Sequence, residues 1–225
     1  GIRDPLRLVG SEMCIRDRGY KLEPEYETNF SIFNEPSVEN VFTIPMNKTL
    51  YTNQMQYLFR SRHYNHAKAY GLSGENGPSA TIEALETFGY ETAQQDPRFD
   101  ICYFAGVVYD LKGNIVRLDD GTVLKYLPWK VELDISNTPY EQTAGARMKK
   151  YEVDETATKD GKLMENDIVL FRYADALLMK SEAKVRNGES GDDELNEVRK
   201  RVKAAPRPAT LENILAERQL ELAWE

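Results

Sequence analysis

Histidine and cysteine are nearly missing. The 225 residues hold two of each, His63, His66, Cys14 and Cys102. Two cysteines make neither a disulfide framework nor a metal cluster. A zinc site or a histidine-based triad has only His63 and His66 to draw on, an i, i+3 pair with no third ligand in view. Long apolar runs are lacking too: no stretch approaches the roughly 18 residues that a spanning helix needs. No basic-then-apolar segment follows Met13, so no signal peptide is legible. Basic charge is in deficit, with 29 Lys and Arg against 37 Asp and Glu and a net charge of -8. That balance argues against nucleic acid as a partner, because phosphate neutralisation needs a basic face. What is present is 41% hydrophobic and 29% charged residues. Such a chain is globular, and long enough for one large domain or part of a larger one.

Residues 1–18, GIRDPLRLVGSEMCIRDR, show no helical or strand period. SEMCIRDR resembles a translated sequencing-adapter remnant, so these residues are expected to be a non-native lead-in. From there to about residue 160 the chain is rich in turns. Val41-Phe42-Thr43-Ile44 reads as a strand stopped by Pro45. Residues 53–62 are weakly helical, and 61–79 read as a loop rich in Gly, Asn, His and Tyr. Ser79 is placed to cap a helix carrying Ile82, Leu85 and Phe88. Residues 101–109 and 115–118 read as strands around the turn Lys112-Gly113-Asn114. Asp119-Asp120-Gly121 reads as a second hairpin turn, since it lacks the spaced oxygen ligands of a calcium loop.

After residue 160 the pattern becomes helical. Residues 167–187 read as one helix, about 21 residues or roughly 30 Å long. Leu170, Tyr173, Ala174, Leu177 and Leu178 form its apolar stripe, and Ala174, Ala176, Ser181 and Ala183 allow close helix approach. Gly188 suits the helix end. Asp192 or Asp193 is expected to cap a second helix with Leu195, Val198 and Val202 inward. Pro206 and Pro208 break it, and Thr210 caps a third helix. The expected fold is mainly α: a helical, TPR-like repeat scaffold with an irregular loop-rich insert and a few short strands. Its regions are 1–18, 19–160 and 161–225.

The run Asp167-Ile168-Val169-Leu170-Phe171-Arg172-Tyr173-Ala174-Asp175-Ala176-Leu177-Leu178-Met179, followed by Ser181-Glu182-Ala183, resembles the signature segment of the SusD/RagB family. Asn196-Glu197-Val198-Arg199 and Glu221-Leu222-Ala223-Trp224-Glu225 are similar to the family's next helices. Upstream, Asn76-Gly77-Pro78-Ser79, Asp96-Pro97-Arg98 and Arg147-Met148-Lys149-Lys150-Tyr151 match in the same order. The resemblance covers most of residues 20–225 and implies a fragment, with the family's first helical repeats and continuation outside it. It implies a surface lipoprotein of the bacterial outer membrane, held by an N-terminal lipid anchor that this sequence does not include. It implies oligosaccharide, or sometimes peptide, as ligand, and a SusC-like TonB-dependent transporter as partner. It implies no cofactor, no metal and no covalent chemistry.

Sugars are bound by flat aromatic faces and by amide or charged groups on loops. The candidate ligand residues are therefore His63, Tyr64, Asn65, His66, Tyr70, Asn76 and Trp129. Each has a plainer reading, as loop self-satisfaction or core packing. Trp224 and the pair Asp96 and Arg98 read as structural. Two other functions stay open. One is a glycoside hydrolase, which needs two carboxylates across a bond, and no motif singles out such a pair. The other is a generic helical-repeat scaffold.

Overall fold

Two patterns meet at residue 172, and the fold turns on that junction. In the computed structural model, residues 19–50, 60–156 and 164–225 are described. A 3-10 helix, Tyr26–Phe30, leads to β1 (Asn40–Ile44). Three short helices follow, α1 (Tyr64–Ala69), α2 (Ile82–Thr87) and α3 (Phe99–Cys102). The two-residue strands β2 (Tyr103–Phe104), β3 (Gly106–Val107), β4 (Lys125–Tyr126) and β5 (Arg147–Met148) belong to the insert. The chain ends in β6 (Ile168–Arg172), α4 (Tyr173–Arg186), α5 (Asp192–Arg201) and α6 (Leu211–Glu221).

Several local expectations are corrected. Residues 167–187 are not one helix: Ile168–Arg172 is a strand, antiparallel to β1 with Thr43 opposite Val169 and Ile44 opposite Ile168. An unbroken apolar run fits strand and helix alike, and here a pairing partner exists far away in sequence. Residues 61–79 contain helix α1, and residues 99–102 wind into α3 ahead of two short strands. Thr81, not Ser79, caps α2 by accepting from the Ala84 N–H. Gly191, with no side-chain cap, starts α5, although acidic residues in its first turn and basic ones in its last match the helix dipole. Thr210 caps α6 as expected, accepting from the Asn213 N–H. Gly188 takes φ 78° just past α4, where a Cβ would be strained. The expected helix over 53–62 lies mostly outside the described residues, as does the lead-in 1–18.

The insert is organised by a closed triangle of backbone bonds. The Val108 N–H donates to Leu124 O (3.0 Å), Val116 N–H to Val108 O (2.9 Å) and Leu124 N–H to Val116 O (2.9 Å). Each of three segments thus pairs with the other two, and Val108, Val116, Leu124 and Tyr126 bury a small core of their own. The turns at Gly113 and Gly121 that join them have φ 82° and 85°. The main core holds Phe30, Leu85, Phe88, Phe99, Met164 and Leu220, and a third core lies between α4, α5 and α6. Helix α6 joins the two, with Ile214 in one and Leu220 in the other.

A buried ionic network locks the junction. Arg172 donates to Glu39 and Glu221 (both 2.7 Å) and to Glu225 (2.8 Å). Arg98 reaches Asp96 (2.8 Å), Glu217 (2.7 Å) and Glu221 (2.8 Å). Arg201 pairs with Glu39 and Glu221, Arg199 with Glu217, and Lys150 with Glu225. Glu39, Glu217, Glu221 and Glu225 each lie between two or more cations, which offsets the desolvation that buried ions pay. Burial opposes ionisation of Glu221, yet Arg201, Arg172 and Arg98 hold its carboxyl well below the usual range.

Candidate ligand-facing surface

The start of α1 is tied down by polar contacts. His63 caps the helix, its Nδ1 accepting from the Asn65 N–H at 3.1 Å. Its Nε2 meets Gln142 Oε1 at 3.0 Å, joining α1 to the loop after Trp129. The Asn65 amide donates to Arg117 O (2.8 Å) and Asp119 Oδ1 (2.9 Å), joining it to the hairpin. Tyr126 hydroxyl accepts from the His63 N–H (2.9 Å) and lies 3.0 Å from His66 Nδ1. His66 is fully buried, its ring nearly perpendicular to Phe104 at 4.5 Å and to Tyr70 at 5.0 Å between centroids. Burial, and then the charges of Arg62 and His63, lower its pKa to about 2. It stays neutral at any physiological pH.

The seven residues singled out by sequence therefore separate by exposure. Tyr64 stands in solvent, while His63 and His66 are buried. Asn65, Tyr70 and Asn76 are half-buried. Asn76 accepts from Arg147 at 3.0 Å and takes φ 50° at the turn after α1. Tyr70 hydroxyl donates to Tyr109 O at 3.2 Å. Its ring and that of Phe104 hold the Arg62 guanidinium at 5.0 and 4.9 Å. These three line a cleft of about 590 Å³ with Leu111, Lys149 and Glu152.

Trp129 is brought into a different group. It is 43% exposed, and its Nε1–H donates to Glu91 Oε2 at 2.8 Å. Tyr90 lies 5.8 Å away at 44°, backed by Phe99 stacked on it at 4.4 Å. Further along the loop Lys130 covers the Tyr140 ring at 5.2 Å, and Tyr140 hydroxyl donates to Glu132 at 2.9 Å. Burial and then Glu91 raise the Tyr90 pKa, so its hydroxyl stays protonated. Sequence reasoning missed Tyr90 and Glu91, which lie far from Trp129 along the chain in a polar turn. Glu91 sits at φ 61°, a conformation that no local motif announces.

Among the described residues no group of three or more His, Cys, Asp or Glu is arranged to hold a metal ion, and no helix is long and apolar enough to cross a membrane.

Residues 31–225 match the model of the SusD family. Comparison with curated proteins yields no match. Among solved structures, a SusD superfamily protein from Parabacteroides distasonis superposes with TM-score 0.66 at 18% identity, over 99% of this chain and 45% of that one. Surface glycan-binding protein A from Bacteroides uniformis gives TM-score 0.63 at 20% identity, over 97% and 43%. Surface glycan-binding protein A from Bacteroides thetaiotaomicron, in complex with laminarihexaose, gives 0.64 at 18%, over 97% and 48%. The chain thus spans less than half the length of these proteins. At such identities the likeness establishes the fold.

Proposed function

The chain belongs to the SusD family, and from that premise we propose that it is part of a non-catalytic glycan-binding protein of the bacterial cell surface. The reading includes an outer-membrane location through a lipid anchor and delivery of oligosaccharide to a SusC-like TonB-dependent transporter. The observation that carries it is Trp129, a half-exposed indole on an irregular loop whose ring is oriented by Glu91 and flanked by Tyr90. A fixed aromatic face beside polar groups is what sugar rings stack on. In this reading Tyr64 and Trp129 make the contacts. His63, Asn65, His66, Tyr70 and Asn76 hold the segment around α1 that carries Tyr64.

The test is isothermal titration of the full chain with a panel of oligosaccharides, beside a reducing-sugar assay. Binding without new reducing ends, weakened about tenfold in W129A by loss of ring stacking, is the expected result. Turnover abolished by one Asp or Glu substitution would replace this reading with a hydrolase. Co-purification with a TonB-dependent transporter tests the delivery step separately.

A further inference from the structure

The corner formed by Tyr90, Glu91 and Trp129 has a charge as well as a shape. Because the Trp129 Nε1–H is already given to Glu91, the indole offers an arriving ligand its face and not a hydrogen-bond donor. The 44° between the two rings makes an open angle instead of a flat floor. Glu91 holds its carboxylate there from φ 61°, a backbone state that residues other than glycine rarely adopt. Its N–H is held by Gln95 Oε1 at 3.1 Å. Asp100 adds negative potential at Tyr90. Beyond Trp129 the loop carries Glu132, Asp134 and Glu141, against a single cation, Lys130, already laid over Tyr140. Aromatic faces are themselves electron-rich. Rings and carboxylates here disfavour an anion together.

Resting on the glycan-binding reading above, we propose that this corner selects uncharged sugar chains over uronic or sulfated ones. Trp129 is the platform and Tyr90 the second ring. Glu91 is a positioning residue for the indole and also the group that repels anionic sugars. E91Q keeps an oxygen to accept the indole N–H and removes only the charge.

The experiment titrates the full chain with maltohexaose, cellohexaose and laminarihexaose as neutral probes and hexagalacturonate as the acidic one, at 20 and 150 mM salt. The neutral probe that binds wild type is expected to lose about tenfold in W129A. In E91Q the acidic-to-neutral affinity ratio is expected to rise about fivefold at low salt, the size of one near-surface charge repulsion, and to rise less at high salt. A merely structural Glu91 would shift both ligands alike and leave the ratio and its salt dependence unmoved. Wild type binding hexagalacturonate as tightly as a neutral hexaose, or neutral binding indifferent to W129A, overturns the proposal while the glycan reading stands. If none of the four probes binds, the glycan reading itself falls, and this proposal with it.

Discussion

His66 shows how burial reverses the usual part of a histidine. In solution its imidazole takes a proton near pH 6.5. Inside the insert, shielded from solvent, the folded pKa is about 2. The unfolded chain therefore binds a proton that the folded chain refuses. The stabilisation is fully present above pH 6.5 and is lost as pH falls below it, by up to about 1.4 kcal/mol per pH unit. Between pH 6.5 and 5 the loss through His66 reaches about 2 kcal/mol. Asp96, Glu221 and Glu225 also have lowered pKa values, so their stabilisation is lost only at more acid pH, below the ordinary carboxylate range. Urea denaturation at stepped pH is expected to show this slope in wild type and not in H66Q. An equal slope in H66Q would place the titrating group elsewhere. The sequence singled out the tract His63 to His66 as a ligand-facing candidate, but its residue types do not say which ring faces inward. Tyr126, sixty residues downstream, decides that by sharing its hydroxyl with both histidines.

Among the elements, the α4–α5 hairpin was the most legible. Its apolar spacing puts Leu177, Leu178, Leu195 and Val198 together in one core, and its small residues do permit close approach. One such contact is at Ser181, whose hydroxyl donates to Gly191 O at 2.8 Å. A Cβ on Gly191 would lie 2.6 Å from both Ser181 O and Ser181 Oγ. The hydroxyl can rotate away, but the backbone oxygen cannot. G191A is therefore expected to cost about 1–3 kcal/mol in urea denaturation, the range for overpacking. S181A/G191A is expected to recover only part of that. Full recovery would show that the side chain alone sets the spacing. The preceding strand was not legible. Ile168, Val169, Leu170 and Phe171 continue the apolar run into α4, and only pairing with β1 separates them from it.

Across the whole molecule the buried ions connect what the hydrophobic cores leave separate. Arg172 ends β6 and contacts Glu39 beside β1 and two carboxylates at the end of α6. Arg98 joins α3 to α6. Such networks add little net stability over an apolar core, but removing one member leaves charges buried without a partner. R172M is expected to lower the unfolding free energy by about 3–5 kcal/mol, read from the urea midpoint at unchanged slope. A loss under about 1 kcal/mol would mean that water enters and the joint is not sealed. Arg172 thus pairs with Glu39 and with the C-terminal carboxylates Glu221 and Glu225, while Asp175 pairs with Arg218 on α6 (2.7 Å).

Taken alone, the sequence determined what depends on neighbours along the chain. Apolar period and Thr210 define the last helices, Gly113 and Gly121 the turns, and the ordered motifs the family. Tertiary structure decided what depends on distant partners. A strand needs another strand, a buried arginine needs carboxylates from elsewhere, and an indole becomes an oriented platform only when a glutamate at position 91 reaches its N–H. Local propensities are written in adjacent residues, whereas burial and pairing energies depend on which segments the fold brings together.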